Sequence, residues 1–96
     1  MSRDEILQKL AAHRQVLQEM GVRSLALFGS AARGELHEGS DIDLLAEFAE
    51  PPGFDGYMRV KFYLEEMLGL PVDLVMQSAL KPWARQAVLE EAIYVT

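Results

Sequence analysis

The chain has 96 residues, no cysteine and a formal net charge of −6. This length predicts one domain over residues 1–96, and the lack of cysteine excludes a disulfide framework or a thiolate metal site. Only nine residues are Lys or Arg. Proteins that bind nucleic acid typically have a basic surface, so we expect no direct nucleic-acid binding. Without a signal-peptide core or an apolar run of ~18 residues, we expect a cytoplasmic protein outside the membrane.

A first helix is predicted over residues 2–20, ending at Gly21. Ser2 followed three residues later by Glu5 is typical of a capping box, and glycine commonly ends a helix. Apolar residues recur at steps of three and four, which places them along one stripe. We interpret this stripe as core packing; it consists of Ile6, Leu7, Leu10, Leu17 and Met20.

Three short apolar segments predict strands. Residues 24–28 run into Gly29 and Ser30, and their short length favours a buried strand over a helix. Residues 41–48 and 71–76 predict the second and third strands. Two prolines and a glycine at positions 51–53 break the chain after the second strand.

Two further helices are predicted over residues 57–68 and 78–91, the second with Ser78 as its cap. We interpret the apolar face around Trp83 as core, with a partner surface as the alternative. The tail at 93–95 is a short edge strand or a packing segment. The resulting order is helix, strand, strand, helix, strand, helix. This order predicts an α/β fold with a small sheet.

Three aspartates are the strongest candidates for chemistry. Asp41 and Asp43 lie two positions apart at the start of a predicted strand, so their side chains should share a face. Asp73 stands among apolar residues of the third strand, where a single carboxylate is costly unless it is paired or binds metal. If these strands are neighbours, we expect at least one carboxyl group to have a raised pKa, because like charges share the site. Mg²⁺, which prefers oxygen ligands, would compensate the charge, and two such ions could act together.

A glycine–serine turn precedes the paired aspartates by ten residues. Gly29 at a strand end lets a phosphate approach the backbone, where exposed N–H groups bind anions. The Ser30 hydroxyl can donate a hydrogen bond to a phosphate oxygen, and Arg33 can add a planar cationic donor. Either motif alone is common in ordinary turns and strand starts, whereas the combination favours a metal–phosphate site.

The combination resembles the signature of the polymerase-beta-like nucleotidyltransferase superfamily, specifically its minimal nucleotidyltransferase branch. The resemblance is carried by LALFGSAARGELHEGSDIDLLAEF and, downstream, by YLEEMLGLPVDLVMQSALKPWARQAVLEEAIYV. It covers nearly the whole chain, and the first helix is its least diagnostic part. It implies a small mixed sheet of three to four strands flanked by helices, and transfer of a nucleoside monophosphate from an NTP to an acceptor hydroxyl.

The resemblance also assigns roles to six residues. It implies nucleotide binding by Gly29, Ser30 and Arg33. It implies a catalytic site with two Mg²⁺ ions held by Asp41, Asp43 and Asp73. In this scheme Asp73 also serves as the base that accepts the proton of the acceptor hydroxyl.

A partner protein follows from the same resemblance. Minimal nucleotidyltransferases are paired with a small all-helical HEPN protein, often an RNase toxin, whose tyrosine they modify with AMP. The resemblance thus implies a protein adenylyltransferase that uses ATP or another NTP, as the antitoxin of a type VII-like toxin–antitoxin pair. The short chain leaves no residues for an acceptor-binding domain, so we expect the partner to supply the acceptor.

Two other functions stay open at this point. The chain could be a non-catalytic antitoxin that acts by binding alone, although binding would not require three clustered carboxylates. It could also be a small-molecule nucleotidyltransferase whose acceptor site is completed by another subunit.

The remaining polar residues suggest no second site. His13 and His37 are too far apart in sequence to favour a zinc site, so we expect a structural role for the first and a solvated loop for the second. We interpret two acidic pairs as solvated helix faces: Glu65 with Glu66, and Glu90 with Glu91.

Overall fold

The computed structural model describes residues 1–37 and 39–95. Five helices, four strands and one 3₁₀ turn follow one another in this part of the chain. Their order and bounds are α1 (Arg3–Ala12), α2 (Arg14–Glu19), β1 (Val22–Phe28), α3 (Gly29–Ala32), β2 (Ile42–Phe48), α4 (Gly53–Leu68), β3 (Val72–Met76), the 3₁₀ turn (Gln77–Ala79), α5 (Pro82–Glu91) and β4 (Ile93–Tyr94).

The strands form one mixed sheet in the order β3-β2-β1-β4. Strand β1 is antiparallel to both β2 and β4, whereas β3 runs parallel to β2. The mixed sheet flanked by helices is therefore confirmed, and the tail forms a short edge strand. Because β3 and β4 are the edge strands, each has one neighbour only.

The core lies between one face of the sheet and the helices α1, α2 and α4. Leu44 and Ala46 of β2 point into this core, which also contains Leu10, Leu17 and Leu64 from the helices. Since side chains alternate along a strand, Asp43 and its neighbours at every second position point to the other face. The alternation thus separates the packing face of the sheet from the face that carries the carboxylate.

The first predicted helix is interrupted, so its extent was predicted wrongly. The capping box is present, with the Ser2 hydroxyl accepting from the Glu5 amide at 3.2 Å. The helix ends at Ala12, and His13 has non-helical dihedral angles before α2 begins. His13 Nδ1 lies 2.6 Å from the Tyr63 hydroxyl of α4, a contact that ties the break to the neighbouring helix. The structural role expected for this histidine is confirmed.

Two other helices begin at different residues than predicted. Helix α4 starts at Gly53, four residues early, because Pro52 already has helical dihedral angles and proline is tolerated at a helix start. Helix α5 starts at Pro82 with Lys81 as its N-cap, while Ser78 lies in the preceding 3₁₀ turn. Ser78 is therefore not the cap.

The prediction of Trp83 as a core residue is wrong. Its relative exposure is 85%. None of the ten residues of α5, all of which are described, is fully buried, so this helix lies on the surface with only partial cover. No helix within the described residues is long and apolar enough to cross a bilayer.

Candidate active site

The sheet topology brings three separated segments to one end of the sheet. Because β1 and β2 are antiparallel, the end of β1 pairs with the start of β2, where Phe28 lies opposite Asp43. Because β2 and β3 are parallel, their starts also coincide, and Asp43 pairs with Asp73. The turn that begins at Gly29 therefore lies at the same end of the sheet as Asp43 and Asp73.

Asp43 is the half-buried member of the three carboxylates. Burial raises the pKa of its carboxyl group, and the negative charges of Asp73 and Asp41 raise this pKa further. The direction of this pKa shift agrees with the expectation for the clustered carboxylates, but burial contributes more to it than the neighbouring charges do. The electrostatic effect also shows that the three side chains share one local field.

The other two carboxylates are exposed. Asp41 immediately precedes β2, which begins at Ile42, so it lies at the entrance of the strand. Asp73 belongs to β3, and its side chain is exposed rather than enclosed among apolar residues. The premise that this carboxylate is buried was wrong, because β3 is an edge strand and its apolar neighbours in sequence point to the opposite face.

Gly29 fits closely against Asp43. Its φ of +72° lies in the left-handed region that favours glycine. A β-carbon at this position would lie 3.0 Å from Asp43 Cγ and closer still to Oδ2. The site therefore requires glycine both for the backbone conformation and for the approach of the carboxylate.

Ser30 follows as the second residue of α3 and is half-buried. Its carbonyl accepts a hydrogen bond from the Glu35 amide at 2.8 Å, which holds the chain after the turn. Within residues 1–37 and 39–95, no group forms a hydrogen bond with its hydroxyl. This hydroxyl is therefore available to a ligand beside Asp43.

Arg33 is already paired with two carboxylates. Its Nε donates to Glu35 Oε1 at 2.8 Å, and its Nη1 donates to Glu91 Oε2 at 2.9 Å. These bonds raise the pKa of the guanidinium above its ordinary value. Arg33 therefore remains charged, and the two carboxylates balance its charge at the exposed edge of the site.

Glu91 is the residue that the sequence analysis missed. It was predicted to lie on a solvated helix face, but its Oε1 accepts a hydrogen bond from the Gly29 amide at 2.9 Å. Its other oxygen is the acceptor for Arg33. Glu90 next to it is exposed, and in residues 1–37 and 39–95 its side chain bonds to Gln86 of the same helix alone. No local signal in the sequence distinguishes the two adjacent glutamates.

The side chains of Asp41, Asp43 and Asp73 suit a hard divalent cation that a substrate also binds. They offer carboxylate oxygens, the ligands that Mg²⁺ prefers. Among the described residues, no group of three His, Cys, Asp or Glu side chains is arranged to hold a metal ion. Mg²⁺ is commonly bound by one or two carboxylates together with substrate phosphates rather than by an all-protein cage. The carboxylates present fit that mode of binding.

His37 makes local contacts instead of joining the carboxylates. It is exposed, and its Nδ1 lies 3.0 Å from the carbonyl oxygen of Glu35 and 3.2 Å from the hydroxyl of Ser40. The solvated-loop prediction is therefore confirmed for this residue.

Comparisons with known proteins identify the family of this chain. The family described as "Nucleotidyltransferase domain" matches residues 10–95. The protein adenylyltransferase MntA of Thermococcus cleftensis is 46% identical over 93 residues, which cover 96% of this chain and 94% of that protein.

Solved structures share the fold. A protein provisionally named a minimal nucleotidyltransferase superposes with a TM-score of 0.86 at 38% identity, covering 97% of this chain and 95% of the other. A structure of the tri-AMPylated HEPN toxin of Shewanella oneidensis in complex with an MNT antitoxin gives a TM-score of 0.69 at 19% identity, with 98% and 71% covered. At that identity the second likeness concerns the fold alone.

The family match includes the whole candidate site, from the glycine–serine turn to Glu91. The resemblance inferred from the sequence is thereby confirmed, and the protein is a nucleotidyltransferase. The chain belongs to the nucleotidyltransferase domain family, among its minimal members.

Proposed function

We propose that this protein is an Mg²⁺-dependent adenylyltransferase that transfers AMP from ATP to a tyrosine hydroxyl of a partner HEPN toxin. In this role its 96 residues act as one domain, and the protein is a cytoplasmic antitoxin of a type VII-like pair. The observation that carries the proposal is the pairing of Asp43 with Asp73 beside the Gly29 turn.

The comparisons support the choice of adenylyl transfer to a protein. The relative that is 46% identical is named a protein adenylyltransferase. A structure with the same fold contains an AMPylated HEPN toxin bound to its antitoxin. A protein hydroxyl and a HEPN partner are therefore the acceptor and partner that we assign here.

The glycine–serine turn is the proposed site for the triphosphate. The left-handed backbone of Gly29 turns the chain directly beside Asp43, and a turn of this kind exposes backbone N–H groups that bind anions. The Ser30 hydroxyl, which has no partner among residues 1–37 and 39–95, donates a hydrogen bond to a phosphate oxygen. Arg33 at the rim adds positive charge, reduced by its two carboxylate partners.

The three aspartates are the proposed ligands of two Mg²⁺ ions, together with phosphate oxygens. When bound, the metal supplies positive charge to the α-phosphate and to the pyrophosphate leaving group. The half-buried Asp43 interacts electrostatically with both other carboxylates and adds to the negative potential that attracts the cations. The ligand set consists of Asp41, Asp43 and Asp73.

The transfer step joins the acceptor oxygen to the α-phosphorus of ATP. The bond from this phosphorus to the oxygen of the β-phosphate breaks, and pyrophosphate leaves with the bonding electron pair. The tyrosine proton passes to the carboxylate of Asp73. Because Asp73 is exposed on an edge strand, a hydroxyl carried by a separate protein can reach it.

The test is a labelling experiment with purified protein, Mg²⁺, ATP labelled at the α-phosphate, and the HEPN partner. The wild-type protein should label the partner, and a tyrosine-to-phenylalanine change in the partner should abolish the label. Asp41→Asn with Asp43→Asn should lower the rate at least about 100-fold. The matched control is Asp4→Asn with Asp55→Asn, which removes the same charge from exposed helix starts.

Two outcomes would contradict the proposal. Inhibition of the toxin without label, unchanged in the aspartate double variant, would indicate an antitoxin that acts by binding alone. Label on a small hydroxyl compound without any protein partner would indicate a small-molecule nucleotidyltransferase.

A further inference from the structure

Glu91 bridges the two ends of the short helix α3. One carboxylate oxygen accepts from the amide of Gly29, the first residue of α3, at 2.9 Å. The other accepts from the side chain of Arg33, the residue that ends α3, also at 2.9 Å. The side chain of Glu91 is 32% exposed. One side chain from the far end of the sequence thus contacts both ends of the segment that contains Ser30.

The position of Glu91 follows from strand pairing. Strands β1 and β4 are antiparallel, with Leu27 opposite Ile93. Glu91 ends α5 two residues before Ile93, and Gly29 begins α3 two residues after Leu27. The strand pairing therefore brings the end of α5 close to the start of α3, where the Glu91 side chain reaches the Gly29 amide.

We propose that Glu91 is a positioning residue for the nucleotide site: it fixes the Gly29–Ser30 turn and thereby presents the Ser30 hydroxyl to the triphosphate. The inference rests on the proposed function, because it assigns the phosphate contact to that turn. Glu91 itself does not contact the nucleotide in this scheme.

The hydrogen bonds around Ser30 support a positioning role for Glu91. The Gly29 amide is used by Glu91 and Arg33 is held by two carboxylates, whereas the Ser30 hydroxyl has no partner within the described ranges. A charge-assisted hydrogen bond holds a backbone amide more firmly than a neutral one. The arrangement therefore immobilises the residues on both sides of Ser30 and leaves its hydroxyl for the ligand.

The alternative role for Glu91 is to compete with a phosphate of the nucleotide for the Gly29 amide and the Arg33 guanidinium. A carboxylate bound to an amide and a guanidinium resembles a bound phosphate, so Glu91 could have to leave before the nucleotide enters. The two roles predict opposite changes in affinity when the carboxylate is removed. Removal weakens nucleotide binding if Glu91 positions the turn and strengthens it if Glu91 occupies the phosphate position.

The experiment compares Glu91→Ala and Glu91→Gln with Glu90→Ala and Glu90→Gln. Glu90 is the matched control, because it is adjacent, exposed and equally charged, but its side chain accepts from Gln86 and, among the described residues, forms no hydrogen bond with α3. Two quantities are measured for each folded variant. They are hydrogen exchange of the Gly29 amide in the free protein, and the Kd for α,β-methylene-ATP with Mg²⁺, a nucleotide that cannot release pyrophosphate.

We expect Glu91→Ala to accelerate exchange at Gly29 and to raise the Kd, each by about tenfold, the effect of losing one such hydrogen bond. Glu91→Gln should restore the slow exchange and most of the affinity, because its amide oxygen still accepts from Gly29. Both Glu90 variants should match the wild type. If Glu91 only stabilised the fold, Glu91→Ala would lower the thermal stability, and Glu91→Gln would not restore the affinity for the nucleotide.

Tighter nucleotide binding by Glu91→Ala, or unchanged exchange at Gly29, would overturn the positioning role. Failure of the wild type to bind the nucleotide would instead refute the proposed function. In that case the exchange measurement still decides whether Glu91 fixes the turn, since it requires no nucleotide.

Discussion

Gly29 and Asp43 are packed so closely that a β-carbon on the glycine would lie 3.0 Å from Cγ of the carboxylate. The two residues come from the end of one strand and the start of its antiparallel neighbour. The contact joins the proposed phosphate site to the proposed metal site. A single substitution at either residue should therefore affect both parts.

Gly29→Ala should lower the free energy of unfolding by about 2–4 kcal/mol, because it combines a left-handed backbone with a clash against Asp43. Gly69→Ala is the control, since Gly69 has the same φ of +72° and open space around it. That change should cost only about 1 kcal/mol. Urea unfolding of both variants measures the difference, and equal losses would mean that the contact with Asp43 contributes nothing.

Asp43→Asn should stabilise the metal-free protein near neutral pH. The pKa of Asp43 is raised in the folded state, so the folded protein binds the proton more tightly than the unfolded chain. The free energy of unfolding therefore falls as pH rises from the ordinary carboxyl pKa of about 3.9 through the raised one. Asparagine removes this loss, and solvent screening limits the gain to about 0.5 kcal/mol.

The check on this prediction is urea unfolding of wild type and Asp43→Asn at about pH 3 and about pH 7. The difference should be present at the higher pH and should vanish at the lower one, where Asp43 is protonated in both states. A wild type that is the more stable of the two near pH 7 without metal would contradict the raised pKa.

Ser30→Ala should weaken binding of Mg²⁺–ATP by about tenfold while leaving stability nearly unchanged. Its hydroxyl has no hydrogen-bond partner in the described ranges, so the free protein loses no bond. Ser78→Ala in the exposed 3₁₀ turn serves as the control. Isothermal titration and thermal unfolding measure the two quantities. Unchanged affinity in Ser30→Ala would remove this hydroxyl from the nucleotide site.

Trp83→Ala should change the free energy of unfolding by less than about 0.5 kcal/mol, because the side chain is 85% exposed. Leu64→Ala is the comparison, since Leu64 is fully buried in the core and its truncation should cost about 2–5 kcal/mol. Denaturant unfolding of the two variants measures both values. A large loss for Trp83→Ala would restore the core assignment made from its helical spacing.

The sequence predicted the strands well, because they depend on local patterns. Short apolar runs bounded by Gly and Pro predicted β1, β2 and β3 near their observed positions. Helix bounds were less accurate at His13 and Pro52, where a contact with Tyr63 and a helical proline set the limits. These errors lie away from the candidate site.

By itself the sequence determined that a glycine–serine turn, a spaced aspartate pair and a third aspartate occur in one short chain. Tertiary structure alone decided that Asp43 is the half-buried carboxylate, that Asp73 is exposed, and that Glu91 reaches Gly29. The physical reason is that burial and pairing depend on which strands become neighbours. Strand order and register bring together residues that are 62 positions apart, such as Gly29 and Glu91. A local sequence pattern cannot predict such a contact.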